Sequence, residues 1–332
     1  MSAAAPASST PRANVGVLLI NLGTPDAPEP SAVRRYLKEF LSDQRVVELP
    51  KILWQPILRA FVLTTRPRKS AHAYSMVWTE QGSPLAAITK RQTAALAAIW
   101  GDKVQVAYAM RYGNPAIGPA IDQLMAAGCD RILIAPLYPQ YCGATTATVV
   151  DAVGRHLASL RTQPSLRFLP PYYDDDAHIA ALASSLSQQL AALDFTPDIL
   201  LASYHGMPQR TYELGDPYFD QCSRTTQRIS AMMGRPIEMA FQSRFGSAKW
   251  LGPATDDCLE QWGRAGKSVA IFAPGFSADC VETYEELAIR GLESYAEGGG
   301  QNFAYLPCLN DSPDGMIMLE KLIGRELSGW LD

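Results

Sequence analysis

Short apolar runs rich in Val, Ile, Leu and Ala recur along the chain. They fall at Val15–Ile20, Val104–Ala107, Arg131–Ala135, Leu166–Leu169, Ile199–Ala202, Ile237–Phe241, Val269–Phe272 and Phe303–Leu306. The runs are nearly continuous rather than alternating, which is the pattern of strands covered on both faces. Between them lie longer stretches with helical spacing, of which 116–127 and 177–193 are the clearest. The second follows the acidic run Asp174–Asp176, which suits the positive end of a helix dipole. Strand–helix alternation of this kind predicts parallel sheets with helices on both faces. Four strands followed by four more predict an α/β fold of two similar lobes with a cleft between them. The crossing is expected near Pro170–Pro171, giving lobes over 15–170 and 171–332 behind a flexible tail at 1–14. No sequence repeat links the halves, so the duplication is one of architecture.

In open parallel sheets, ligand-binding residues gather just beyond the carboxyl ends of the strands. Five of the eight strand ends carry a mixture of Gly, Pro, aromatic and polar residues: 21–25, 110–115, 136–141, 203–208 and 274–279. Tight turns account for the Gly and Pro. They do not account for Arg111, Tyr112, Tyr138 and His205, and exposed aromatic faces beside a few polar groups suit a flat conjugated ligand. His205 is one of four histidines, and it alone combines a strand end with a following Gly206 and Pro208. An imidazole there can take a proton near neutral pH or bind a borderline metal ion.

A helix starting near Asp279 would advance by ~100° per residue. Asp279, Glu282, Glu286, Arg290 and Glu293 would then share one stripe, with Cys280, Tyr284, Leu287 and Gly291 on a core-facing one. The plain reading is an amphipathic helix with a solvated charged face. Beginning at a strand end, the same column of carboxylates suits a hard divalent cation or released protons.

Composition narrows the choice. The 332 residues are 47% hydrophobic and 19% charged, with a net charge of -4 and a pI near 5.7. That is a folded chain with ample core and no electrostatic case for nucleic acid. The six cysteines include no C-x-x-C pair and are expected to be reduced thiols, mostly core fillers. No G-x-G-x-x-G follows the first strand, which argues against a dinucleotide site. The faintly P-loop-like 263–268 has the wrong spacing and precedes a strand, so it is expected to be a turn. The N-terminus lacks the pattern of a signal peptide. No apolar stretch approaches the ~20 residues of a membrane span. The greasy segment Ile52–Leu63 is expected to be a packed helix or cleft lip, with a membrane-touching lip as the sharper alternative.

Several long motifs, in order, resemble the ferrochelatase family from about Val15 to the C-terminal helix: Leu19–Pro25 (LINLGTP), Leu137–Tyr141 (LYPQY), Ser203–Pro208 (SYHGMP), Phe241–Gly246 (FQSRFG), Trp250–Pro253 (WLGP) and Pro274–Thr283 (PGFSADCVET). The HGMPQR and FQSRFG forms look most like proteobacterial members. The resemblance implies a chelatase-like pair of Rossmann-like lobes, each a four-stranded parallel sheet flanked by helices, with the porphyrin between them and a closing C-terminal helix. It implies insertion of Fe2+ into protoporphyrin IX, with iron as substrate and no required cofactor. The family's invariant histidine falls on His205 and its iron-site glutamate on Glu282, making the pair catalytic and metal-binding. Asp279 and Glu286 fall on further acidic positions, read as a relay. Asn21, Leu22, Arg111, Tyr112, Tyr138 and Trp250 fall on porphyrin-binding positions. Some members hold a [2Fe–2S] cluster through a cysteine-rich C-terminal extension. This chain ends at Asp332, Cys308 is its last cysteine, and Cys142 is displaced by one residue from an upstream ligand, so no cluster is expected. Cys280 replaces a histidine of animal members. A cytoplasmic monomer is the favoured state. The open alternatives are coproporphyrin III as substrate, cobalt insertion into sirohydrochlorin, a non-catalytic haem or metal carrier, and a nucleotide-dependent oxidoreductase.

Overall fold

The computed structural model describes residues 14–331 apart from Phe245 and Ser247. Eight strands form where the apolar runs predict them. The first sheet has the order β2–β1–β3–β4, with β1 Val15–Thr24, β2 Gln105–Gly113, β3 Arg131–Pro136 and β4 Ser165–Phe168. The second repeats it as β6–β5–β7–β8, with β5 Ile199–His205, β6 Glu238–Gln242, β7 Val269–Phe272 and β8 Phe303–Leu306. All pairings are parallel, as in Leu18↔Ala107, Leu18↔Ile134 and Leu201↔Ile271. Architecture is thus duplicated without a sequence repeat.

The long helical stretches also form as expected. Helix Ile117–Ala126 connects β2 to β3, and helix Asp176–Ala191 precedes β5. Asp175 caps the latter by accepting from the Ala177 amide, which satisfies one of the free amides of the first turn.

Three strands run three or more residues further than the apolar runs suggest. β1, β2 and β5 continue through Thr24, Gly113 and His205, so Asn21, Leu22, Arg111, Tyr112 and His205 lie on strand ends rather than in loops. Ladder hydrogen bonds hold polar residues that hydrophobicity alone assigns to turns.

One hydrophobic cluster runs through both sheets. It joins Val17, Leu19, Leu133 and Leu137 of the first half to Leu200, Ala202, Tyr204 and Phe272 of the second. The C-terminal helix Pro313–Glu326 adds Leu319, Leu322 and Ile323 to this cluster. Each such side chain contributes about 1.5–3 kcal/mol on burial.

Details of three expected segments are sharpened. Asn14 belongs to the fold, because its carbonyl accepts from the amides of Asp130 and Arg131; the rest of the expected tail lies outside the described residues. Segment 52–63 is helical and packs one face, through Leu58, Leu63, Trp54 and Val62. It forms helix Lys51–Ile57, a π-helical turn Leu58–Val62 and the start of helix Leu63–Val77. Only Leu58 and Leu63 are buried there, while Ile52 and Phe61 are 83% and 68% exposed. The turn expected in 263–268 forms at Ala265–Gly266 ahead of β7, following helix Thr255–Arg264, whose last turn includes Gly263. A Cβ at that position would meet the Tyr295 carbonyl at 2.3 Å, so glycine permits close packing on helix Gly291–Glu297.

Candidate active site

The carboxyl ends of β1 and β2 bring four of the sequence-derived residues together. Asn21 is buried, and its amide donates to Thr89 Oγ1 at 2.8 Å. Leu22 is half-buried against a cluster containing Tyr36, Tyr74 and Tyr112. The Arg111 guanidinium donates through Nε to the carbonyl and hydroxyl of Thr148, both at 2.9 Å. Its Nη2 makes a short ion pair with Asp43. The Tyr112 hydroxyl reaches the same carboxylate oxygen at 3.0 Å. The Tyr112 ring is a core element, 1% exposed, and burial pushes its phenol pKa up. Just beyond β3, Tyr138 has a buried hydroxyl with no hydrogen-bond partner among the described residues.

The second sheet supplies the other half. His205 ends β5, and its Nδ1 lies 2.8 Å from the Gly206 carbonyl. A carbonyl only accepts, so Nδ1 carries a hydrogen, and the neutral ring would present its lone pair at Nε2. Gly206 is required by space: a Cβ would stand 2.5 Å from the Gln242 carbonyl and 3.3 Å from the Trp250 ring. Trp250 is held there by a bridge to Pro208. His205, Gly206 and Trp250 therefore form one neighbourhood.

Glu282 follows β7 in the short helix Val281–Thr283. Its charge is felt by Tyr36 and Tyr74, whose pKa values rise first through burial and then through neighbours including Glu282. Gln242, in register with His205, joins the two halves of the pair. Its backbone carbonyl accepts from the Gly206 amide at 2.8 Å, and its Nε2 donates to the Glu282 carbonyl at 2.8 Å.

The acidic stripe is not a single column. Asp279 precedes the helix and is fully buried. Its carboxylate accepts from Thr283 Oγ1 at 2.9 Å, from the Tyr305 hydroxyl and from Asn310 Nδ2. Residues Tyr284–Arg290 are π-helical, and the wider turn shifts the later positions away from an ideal 100° progression. Glu286 accepts from Ser243 Oγ at 2.5 Å and lies 3.6 Å from Arg290. Among the described residues, no three of His, Cys, Asp or Glu converge on a metal position.

Sequence reasoning missed Asp43, Gln242, Ser243, Tyr305 and Asn310. Gln242 and Ser243 lie in the FQSRFG motif just after a predicted strand, a placement that could have singled them out. Asp43 is 68 residues from Arg111 and has no local signal.

Two parallel sheets of identical order, with polar and aromatic residues at their carboxyl ends, place the chain among α/β proteins of two Rossmann-like lobes. Solved structures share this fold: SirB from Bacillus subtilis with Fe3+ has a TM-score of 0.58 at 10% identity, covering 96% of this chain and 99% of that one. CbiX, described as the terminal enzyme for biosynthesis of siroheme in denitrifying bacteria, has a TM-score of 0.52 at 15% identity, covering 95% and 100%. The family model for ferrochelatase matches residues 14–327. The ferrochelatase of Rhizobium meliloti is 48% identical over 96% of both chains. That of Bradyrhizobium sp. BTAi1 is 50% identical over 98% of this chain and 95% of its own. The chain belongs to the ferrochelatase family.

Proposed function

We propose that the chain inserts Fe2+ into protoporphyrin IX, releasing two protons and forming protohaem at the end of haem synthesis. Membership of the ferrochelatase family over nearly the whole chain carries this reading. A flat porphyrin hides its lone pairs and holds two N–H groups inside the ring. Binding the ring puckered exposes the nitrogens and approaches the transition state. In this reading Nε2 of His205 takes a pyrrole proton or presents the iron, and Glu282 acts from the other side. Glu286 is the outer acid of the relay, and Asp279 is the buried, hydrogen-bonded carboxyl group behind it. Leu22, Tyr138 and Trp250 offer apolar surface to the ring, backed by Asn21, Arg111 and Tyr112.

Iron is the substrate, and no [2Fe–2S] cluster is required. Burial pushes the Cys142 thiol up to about 12, and it likewise raises Cys222, Cys280 and Cys308. With no metal beside them, such thiols stay protonated. A cytoplasmic monomer with peripheral membrane contact fits the exposed Leu49, Ile52, Leu53, Ile57 and Phe61. No helix among the described residues is long and apolar enough to cross a membrane.

Purified protein mixed anaerobically with protoporphyrin IX and Fe2+ or Zn2+ should yield the metalloporphyrin spectrum above the uncatalysed rate. His205→Ala should reduce that rate at least about a hundredfold, the scale of losing a positioned acid–base group, with the fold intact by circular dichroism. Porphyrin binding without turnover would favour a carrier, and near-normal turnover by the variant would remove His205 from the chemistry.

A further inference from the structure

The His205–Glu282 pair is divided between two strand ends, and its geometry depends on whatever spans them. β6 lies beside β5 and ends at Gln242, level with His205. The Gln242 side chain is 3% exposed, and both ends of its amide are engaged. Oε1 accepts from Ser203 Oγ at 2.9 Å, while Nε2 donates to the Glu282 carbonyl at 2.8 Å. Ser203 Oγ lies 2.8 Å from Thr255 Oγ1. Having given its own hydrogen to Gln242, Ser203 must accept from Thr255. The network therefore runs in one direction, Thr255 to Ser203 to Gln242 to Glu282. The orientation of the amide is fixed by this order, because the Glu282 carbonyl cannot donate.

The next residue repeats the contact one turn along the helix. Ser243 adopts φ 66°, a left-handed conformation that is costly for a residue with a side chain. In that conformation its Oγ donates to the Glu286 carboxylate at 2.5 Å. The end of β6 thus holds the carboxylate helix at two points four residues apart. Its backbone also holds Gly206, next to the histidine.

We infer that Gln242 is a positioning residue that sets the distance between His205 and Glu282, with Ser243 as its second point of attachment. This inference rests on the role given above to His205 and Glu282. Gln242 acts through the backbone at two neighbouring ends of the second sheet, that of Gly206 after β5 and that of Glu282 after β7. A misplacement of about 1 Å at reacting atoms costs on the order of a hundredfold in rate. Losing this spacer should therefore appear in kcat rather than in ring affinity.

The test uses the full chain with Fe2+ and protoporphyrin IX, comparing Gln242→Met, Gln242→Glu, Ser243→Gly, His205→Ala and Glu282→Gln. Met keeps the length of Gln242 and removes the donor. Glu keeps the acceptor for Ser203 and faces the Glu282 carbonyl with another acceptor. Gly suits the left-handed conformation, so Ser243→Gly should fold even if both Gln242 variants do not. The expected result is a tenfold or larger drop in kcat for the Gln242 variants and about threefold for Ser243→Gly. KM for porphyrin, and its binding read by fluorescence quenching, should stay within threefold. If His205→Ala and Glu282→Gln are inactive while the Gln242 and Ser243 variants keep normal kcat, the positioning role is overturned. A change confined to KM overturns it as well. If His205→Ala and Glu282→Gln are themselves active, the underlying site assignment is what fails.

Discussion

At the scale of single residues, the site is defined as much by what holds its side chains as by the side chains themselves. Gly206→Ala would drive a Cβ to 2.5 Å from the Gln242 carbonyl. Overpacking of this kind typically costs about 1–3 kcal/mol, so urea denaturation should show that loss together with reduced turnover. Arg111 and Asp43 are mutually dependent, with side chains only 9% and 14% exposed. Arg111→Met would leave Asp43 half-enclosed and unpaired, at ~3 kcal/mol by the usual cost of breaking a buried pair. Adding Asp43→Leu should recover part of that stability. His178 gives a pH signature remote from the chemistry, since burial pulls its pKa down from 6.5 to about 4. The folded state refuses a proton that the unfolded chain accepts, so this contribution is complete above pH 6.5 and lost as pH falls to about 4. His178→Leu should flatten the stability profile across that window in denaturation series. Legibility at this scale was uneven. His205 stood out because its strand end and following glycine are local signals. Asp43 and Gln242 were hidden because their partners lie 68 and 40 residues away, and only folding brings them together.

Between residues and molecule, the elements departed from ideal periods where the site is built. Eight strands were visible as apolar runs, because strands buried on both faces must be apolar. Their last residues were not visible, because Asn21, Arg111, Tyr112 and His205 owe their extended conformation to ladder pairing and not to hydrophobicity. The carboxylate helix shows the same limit: its 100° stripe failed because Asp279 precedes the helix and Tyr284–Arg290 is π-helical. The lip over 49–63 is the clearest case of an element shaped by something other than the core. Its packed face carries Leu58 and Leu63, while Ile52 and Phe61 face solvent beside Lys51 and Arg59. Exposed apolar side chains interleaved with cations suit an anionic bilayer surface. Ile52→Glu with Phe61→Glu should reduce flotation with anionic liposomes severalfold while leaving activity in detergent within twofold. Equal flotation of wild type and variant would remove the lip from membrane contact.

For the molecule as a whole, the sequence implied two lobes and a cleft, and both sheets are present with the same strand order. What it could not reveal is that a single hydrophobic cluster runs through them, since apolar composition does not say which residues meet. Leu133 and Leu137 belong to the same buried cluster as Leu200 and Tyr204, and the Ser277 hydroxyl, just after β7, donates to the Leu137 carbonyl at 2.9 Å. Thermal unfolding should therefore give one calorimetric transition, and residues 15–170 expressed alone should be unfolded by circular dichroism. Two separate transitions would contradict a shared core. The shared core also bears on traffic through the cleft. Halves built on common packing cannot swing apart like jaws without exposing that packing to water, which amounts to partial denaturation. If the proposed function holds, this shared packing predicts a slot of nearly constant width, into which a tetrapyrrole would pass edgewise. Selection among rings then falls on thickness and substituents at the leading edge, and departure of the finished product becomes a matter of how often the rim moves aside.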